Sequence, residues 1–125
     1  MTVVKLPSGD LWLHSPVQLT SEVSSILSKL GPVGHIVIGN TSPEHGFFAR
    51  AYTTAYPNAT VYAPVEKRQL SIAVRWKLPE LQILGNEAPE AWAGVIDQVQ
   101  FHSAKCRLTL AMNGWMGSEF GPHNK

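Results

Sequence analysis

A strand–helix–strand pattern between Gly34 and Pro64 places the strongest constraint on the fold of this sequence. The short β-branched run "GHIVIG" is bounded by glycines and is typical of a buried strand. An aromatic helical pattern, "HGFFARAYTTAY", follows it, and "TVYAP" predicts the next strand. Because such a unit nearly always crosses right-handedly to a parallel neighbour, the sequence predicts an α/β fold.

The preceding segment extends this α/β pattern. The runs "TVVKL" (2–6) and "DLWLHSPV" (10–17) flank the turn sequence "PSGD" and predict a β-hairpin. The stretch "TSEVSSILSKLGP" predicts a helix, with Thr20 or Ser21 as the N-cap and Gly31 at the end. Each of the two predicted helices is expected to bury one face. These faces are Val23, Ile26, Leu27 and Leu30 in the first helix, and Phe47, Phe48, Ala51, Tyr52 and Ala55 in the second.

Beyond Pro64 the pattern is weaker but still mixed. The runs "ELQILG", "DQVQFH" and "CRLTLAM" predict strands, and "PEAWAGVI" predicts a helical turn. The length of 125 residues indicates one domain, which we assign to residues 1–112. Residues 113–125 are rich in glycine and polar side chains, so a flexible tail is predicted there.

Composition narrows the classes of partner. Charged residues make up 15 % of the chain and the formal net charge is +1. The sequence therefore lacks the excess of positive charge that is typical of proteins that bind nucleic acid or acidic lipid. No apolar stretch approaches the roughly 20 residues that span a bilayer, and the first residues lack a signal-peptide core. A cytoplasmic location is expected, and Cys106, the single cysteine, is interpreted as a small buried residue.

The loop "NTSPEH" (40–45) lies between a predicted strand and a predicted helix. Ligands of open parallel sheets bind beyond the carboxyl ends of the strands, which is where this loop falls. Its residues also suit an ordinary helix start. Ser42 is a good N-cap, Pro43 fits the first helical position, and Glu44 favours the positive end of the helix dipole. His45 is then expected in the first turn.

The sequence resembles known proteins in several separated segments. "HIVIGNTSPEHGFFARAYTTAYPNATVYAP" resembles the strand–loop–helix–strand unit of the metallo-β-lactamase superfamily, which carries an H-x-H-x-D-H metal motif in the loop. Residues 2–102 resemble, more closely, an uncharacterised family of metallo-β-lactamase-like domains from bacteria, fungi and plants. The segments that carry this second resemblance are "VVKLPSGDLWLHSPVQLT", "LGPVGHIVIGN", the "PEH" loop, "YPNATVYAP" and "PEAWAGVIDQVQF". The resemblance implies the N-terminal half of an αββα sandwich, a mixed sheet with helices on one face.

The resemblance also implies which residues occupy the metal motif. The first two motif histidines fall on Asn40 and Ser42, the aspartate on Glu44, and the last histidine on His45. An amide and a hydroxyl are poor substitutes for the imidazoles that bind zinc. Our leading hypothesis is therefore a metallo-β-lactamase-like protein of undetermined activity with a degenerate metal site. It would have no cofactor and would not be a zinc hydrolase.

Two alternatives remain open. The first is a hydrolase or lyase that binds zinc or another divalent metal through Glu44 and His45, with further ligands such as His102 or a partner chain. The second is a truncated product without independent activity, because the resemblance implies that the superfamily's remaining ligands come from a second half of the domain. A sheet without that half leaves a face or an edge uncovered. We therefore expect a homo-oligomer or another partner that covers the sheet.

Overall fold

A computed structural model gives the structure of the protein. It describes residues 1–39, 43–63, 70, 72, 76, 78–84, 88–102, 107–112 and 119–120, with residues 43–45 and the strand residues beyond 96 described by their backbone alone. The strands are β1 (Thr2–Lys5), β2 (Leu11–His14), β3 (Val33–Val37), β4 (Thr60–Ala63), β5 (Leu81–Ile83), β6 (Ile96–His102), β7 (Arg107–Met112) and β8 (Glu119–Phe120). The helices are α1 (Ser21–Leu30) and α2 (Pro43–Ala55), with a 3-10 helix at Glu90–Trp92.

Strands β1 to β5 form one mixed sheet in the order of the sequence. Strand β1 is antiparallel to β2, whereas β2, β3, β4 and β5 run parallel to one another. Strands β6 to β8 form a second, antiparallel sheet. The predicted α/β class and the predicted hairpin are therefore confirmed. Of the predicted tail 113–125, the structure describes only β8, and the rest lies outside the described residues.

Alternating side chains divide the five-stranded sheet into two faces, as the period of a β-strand requires. One face packs against α1 and α2. Its core consists of Leu11, Leu13, Ile36, Ile38, Val61 and Ala63 from the strands with Leu27, Ala49 and Tyr52 from the helices. The other face is packed by the segment that leads into β6. Trp12, Val37 and Tyr62 contribute to that second cluster together with Trp92 and Ile96.

Helix α1 begins where the sequence predicted, with Thr20 as its N-cap. The Oγ1 atom of Thr20 accepts a hydrogen bond from the backbone N–H of Val23, at 3.2 Å. Of the predicted apolar face, Leu27 is buried and Val23 is partly buried, but Ile26 and Leu30 are exposed. The predicted buried face was wider than the observed one. Only Val23 and Leu27, which lie one helical turn apart, face the sheet.

Helix α2 packs through a different face from the one that the sequence predicted. Ala49 and Tyr52 are fully buried, and Tyr52 was predicted correctly. Phe47 is 57 % exposed, so its assignment to the core was wrong. Phe47 lies roughly 140° around the helix from Tyr52, and a helix that buries Tyr52 against a sheet must turn Phe47 outward. Ala51 and Ala55 are exposed as well.

In the parts of the chain that the structure describes, no helix has the length and hydropathy needed to cross a lipid bilayer.

Candidate functional site

The carboxyl ends of β2 and β3 lie at the same edge of the sheet because the two strands are parallel. His14, the last residue of β2, is paired in register with Val37, the last residue of β3. Helix α2 begins at Pro43, so Glu44 and His45 lie in its first turn, as predicted. Their side chains, and the predicted loop residues Asn40 and Ser42, lie outside the described part of the structure.

Gly39 is the last described residue before this loop, and two side chains of β2 and its end pack directly against it. A Cβ atom placed on Gly39 would lie 2.5 Å from Oγ of Ser15 and 2.7 Å from Nε2 of His14. Real Cβ atoms do not come so close to other atoms. The glycine is therefore required by the close approach of β2.

Ser15 has an unusual backbone conformation at this edge. Its φ is +50°, in the left-handed region that non-glycine residues seldom adopt, and its N–H donates to the carbonyl of Val37 at 2.9 Å. Residues held in this region cluster at binding and catalytic sites, where the surrounding structure maintains the strain. In this conformation Oγ of Ser15 lies against Gly39.

His14 belongs to an aromatic cluster on the face of the sheet opposite the helices. The residue is fully buried, and its ring stacks on that of Trp12 with centroids 5.8 Å apart. Trp92 packs across the strands, with its ring centroid 5.2 Å from Trp12 and 5.4 Å from Tyr62. The imidazole of His14 therefore stacks on a tryptophan that Trp92 holds in place from the other side of the cluster.

His35 lies in the same layer because of a β-bulge at Gly34. Val33 pairs with Leu11 and His35 pairs with Trp12, so Gly34 is an extra residue in β3. The bulge lets Val33 face the helices while His35 faces the opposite side. A Cβ atom on Gly34 would lie 2.9 Å from Cβ of Asp10, which shows how closely the Asp10 side chain packs there.

His35 and Tyr62 form a buried polar pair. The Nδ1 atom of His35 lies 3.0 Å from the hydroxyl oxygen of Tyr62. Burial lowers the pKa of His35 below its usual value of 6.5, although the negative charge of Asp10 opposes this. Burial raises the pKa of Tyr62, so the phenol is protonated at neutral pH. At that pH the pair is therefore a neutral imidazole bonded to a neutral phenol.

The side chains that the structure describes do not form a metal site. Among the described side chains, no three His, Cys, Asp or Glu residues lie close enough together to hold a metal ion. Asn40 and Ser42 occupy the positions that the resemblance assigns to two zinc-binding imidazoles. His102 ends β6, but its side chain is not among those described, and Cys106 and His123 also lie outside the described residues.

The sequence indicates the loop as a candidate site but does not indicate the close approach of His14 to Gly39. His14 alternates with Trp12 along β2, a pattern that is typical of a structural histidine. Its position at the carboxyl edge follows from the register of β2 on β3, which no local pattern encodes. The preference of ligands for that edge, combined with the predicted hairpin, was the one feature of the sequence that could have placed His14 near the loop.

These observations define an α/β protein with a five-stranded mixed sheet and a candidate site at its carboxyl edge. The model of an uncharacterised family, Domain of unknown function (DUF4336), matches residues 1–102. The chain belongs to this family. No curated protein and no solved structure matches the sequence.

Proposed function

We propose that this chain is a metallo-β-lactamase-like protein with a degenerate metal site, and that it does not hydrolyse its ligand through bound zinc. The proposal is based on the possible metal ligands in the loop. Asn40 and Ser42 stand where two imidazoles would be needed, so the loop retains only Glu44 and His45. Catalytic zinc generally uses three protein ligands and a water molecule, and two ligands rarely hold a metal tightly.

The architecture supports the resemblance to that superfamily. Both described α-helices pack on one face of the mixed sheet, through Leu27, Ala49 and Tyr52. The other face is covered by Trp92 and Ile96, and Ile96 begins the second sheet. A helix layer on one side and the start of a second sheet on the other is the arrangement expected for an αββα sandwich.

The environment of His14 also supports a site that does not depend on zinc. Nε2 of His14 faces the backbone of Gly39, and the ring stacks on Trp12. A fully buried imidazole in this position holds the start of the loop against the sheet.

Metal analysis of the purified full-length chain tests this proposal. We expect less than about one-tenth of an equivalent of zinc, manganese or iron, and a melting temperature that chelation does not change. A matched measurement on His45→Ala should give the same metal content as the wild type. One equivalent of metal that is lost in His45→Ala, with a melting temperature that falls on chelation, would contradict the proposal.

That contrary result would support the second candidate, a metal-dependent hydrolase or lyase. One observation favours it. Helix α2 starts at Pro43, which places the backbone of Glu44 and His45 in consecutive positions of the first turn. A metal held there would polarise a carbonyl or supply hydroxide. Such a site would need further ligands from elsewhere in the chain or from a partner.

We further propose that the chain self-associates. Strand β5 is the last strand of the five-stranded sheet, and Ile83 on it is 56 % exposed. Exposed apolar strand edges favour pairing with another chain. Static light scattering across a range of concentrations measures the mass directly. A dimer or larger species is expected, and a monomer at high micromolar concentration would contradict this.

A further inference from the structure

The outward side of α1 carries two large apolar side chains that the sequence predicted to be buried. Ile26 is 51 % exposed and Leu30 is 42 % exposed, and they lie one turn apart. Leu27, which packs α1 against the sheet, lies about 100° around the helix axis from Ile26. The fold of a single chain therefore leaves this apolar row in contact with solvent.

Two charged residues of opposite sign lie at the two ends of the same side of α1. Glu22 is in the first turn and Lys29 is in the last turn, and both are exposed. Each lies within about 60° of Ile26 around the helix axis, and about 10 Å of helix separates them. Neither forms an ion pair among the residues that the structure describes. We call Glu22, Ile26, Lys29 and Leu30 the α1 face.

The α1 face is complementary to itself. A two-fold axis that passes beside Ile26, perpendicular to the helix, places a second α1 antiparallel to the first. Glu22 of each chain then lies near Lys29 of the other, and the two Ile26 side chains meet at the centre. A parallel arrangement would bring like charges together, which opposes association. The charges therefore favour the antiparallel pair.

We propose that the α1 face binds the α1 face of a second copy of this chain. Glu22, Ile26 and Leu30 form an i±4 row, and such rows pack together in the commonest class of helix crossing. Because each chain contributes only two apolar side chains, the contact is small compared with the roughly 1,200 Å² or more of stable interfaces, and we expect a dissociation constant of roughly 100 μM. The inference rests on the self-association proposed above and adds a surface separate from the β5 edge.

A dilution series of the full-length chain, followed by the NMR shifts of its backbone amides, locates the contact. We expect the amides of residues 22–30 to shift with protein concentration between about 20 μM and 1 mM. The amides of residues 81–83 report on the β5 edge in the same spectra. If light scattering shows a dimer but residues 22–30 do not shift, this inference is wrong and self-association stands. If the mass stays that of a monomer, both are wrong.

Charge reversal tests the antiparallel pairing. Glu22→Lys and Lys29→Glu should each weaken the association roughly tenfold, because each turns two attractive pairs into two repulsive ones. The double variant restores opposite charges, so its dissociation constant should return to within about threefold of the wild-type value. Lys5→Glu on β1 changes the net charge as Lys29→Glu does and should have no effect. An equal loss in Lys5→Glu, or no recovery in the double variant, would overturn the proposal.

A second pair of variants tests the apolar centre of the contact. Ile26→Ser should also weaken the association roughly tenfold, because both copies lose the side chain that meets at the two-fold axis. Ile72→Ser is the matched control, since Ile72 is 67 % exposed and lies outside α1. Both positions are exposed, so urea denaturation should show that both variants stay folded. An unchanged dissociation constant in Ile26→Ser, or an equal loss in Ile72→Ser, would overturn the proposal.

Discussion

Nδ1 of His35 lies 3.0 Å from the hydroxyl oxygen of Tyr62, and this contact joins β3 to β4 on the face packed by Trp92. It exists because Gly34 forms a bulge. Without the extra residue, Val33 and His35 would face the same side of the sheet, since side chains alternate along a strand. The bulge directs the apolar side chain to the helices and the imidazole to Tyr62.

Acid should destabilise the protein through His35. Burial lowers the pKa of this histidine in the folded state, with Asp10 opposing the shift, so the unfolded chain takes up the proton first as the pH falls. The stabilising contribution is complete above pH 6.5 and is lost as the pH falls from there towards the folded-state pKa. Urea denaturation at a series of pH values should show the midpoint falling below pH 6.5.

Two variants separate the histidine from its partner. His35→Gln removes the titrating group, so the midpoint should fall less steeply below pH 6.5 than in the wild type. Tyr62→Phe removes the hydroxyl group but leaves the imidazole buried, so the acid dependence should persist. If His35→Gln keeps the full pH dependence, the loss of stability comes from other groups.

Thr20→Ala should weaken α1 by about 0.5–2 kcal/mol, because Thr20 Oγ1 satisfies the backbone N–H of Val23. Denaturation at pH 7 measures the difference. Ser28→Ala is a suitable control, since Ser28 Oγ donates to the carbonyl of Ser24 at an exposed position and caps no helix end. An equal cost for both variants would show that capping is not the cause.

Tyr52→Ala should cost about 3 kcal/mol or more, whereas Phe47→Ala should cost about 1 kcal/mol or less. Tyr52 is fully buried against the sheet, and Phe47 is largely exposed on the opposite side of α2. Tyr52→Phe should be mild, because the hydroxyl contacts only Met1 Sδ among the described atoms, at 3.6 Å. A large destabilisation by Phe47→Ala would show that α2 is rotated.

The strand–helix–strand unit could be predicted because hydrophobic period and turn residues are local properties. "GHIVIG" and "TVYAP" became β3 and β4, and the helix between them begins at the predicted proline. The buried face of α2 could not be predicted in the same way. Both Phe47 and Tyr52 are apolar, and only packing on the sheet, where small Ala49 permits close approach, decides which one is buried.

The sequence could indicate a candidate loop but not the residues that pack against its start. The loop "NTSPEH" follows a predicted strand, and the preference of ligands for carboxyl edges made it a candidate. The contacts of His14 and Ser15 with Gly39 depend on the pairing of β2 with β3. The paired residues Leu11 and Val33 are 22 residues apart in the sequence. Such pairing is set by the tertiary fold, so two of the residues that shape the site were not identified.

Gly39→Ala should destabilise the protein by about 1–3 kcal/mol, the usual cost of forcing extra atoms into a packed site. The new methyl group would lie 2.5 Å from Ser15 Oγ and 2.7 Å from His14 Nε2, and the stacked imidazole cannot easily move away. The cost should be smaller in a Ser15→Gly background, because that change removes Oγ and suits the φ of +50°. A double-mutant cycle from urea denaturation measures this coupling.

Equal costs in both backgrounds would exclude Ser15 as the obstacle, and no cost in either would mean that β2 does not pack against Gly39. Because Gly39 directly precedes the loop, the cycle also tests whether β2 determines where the candidate site begins.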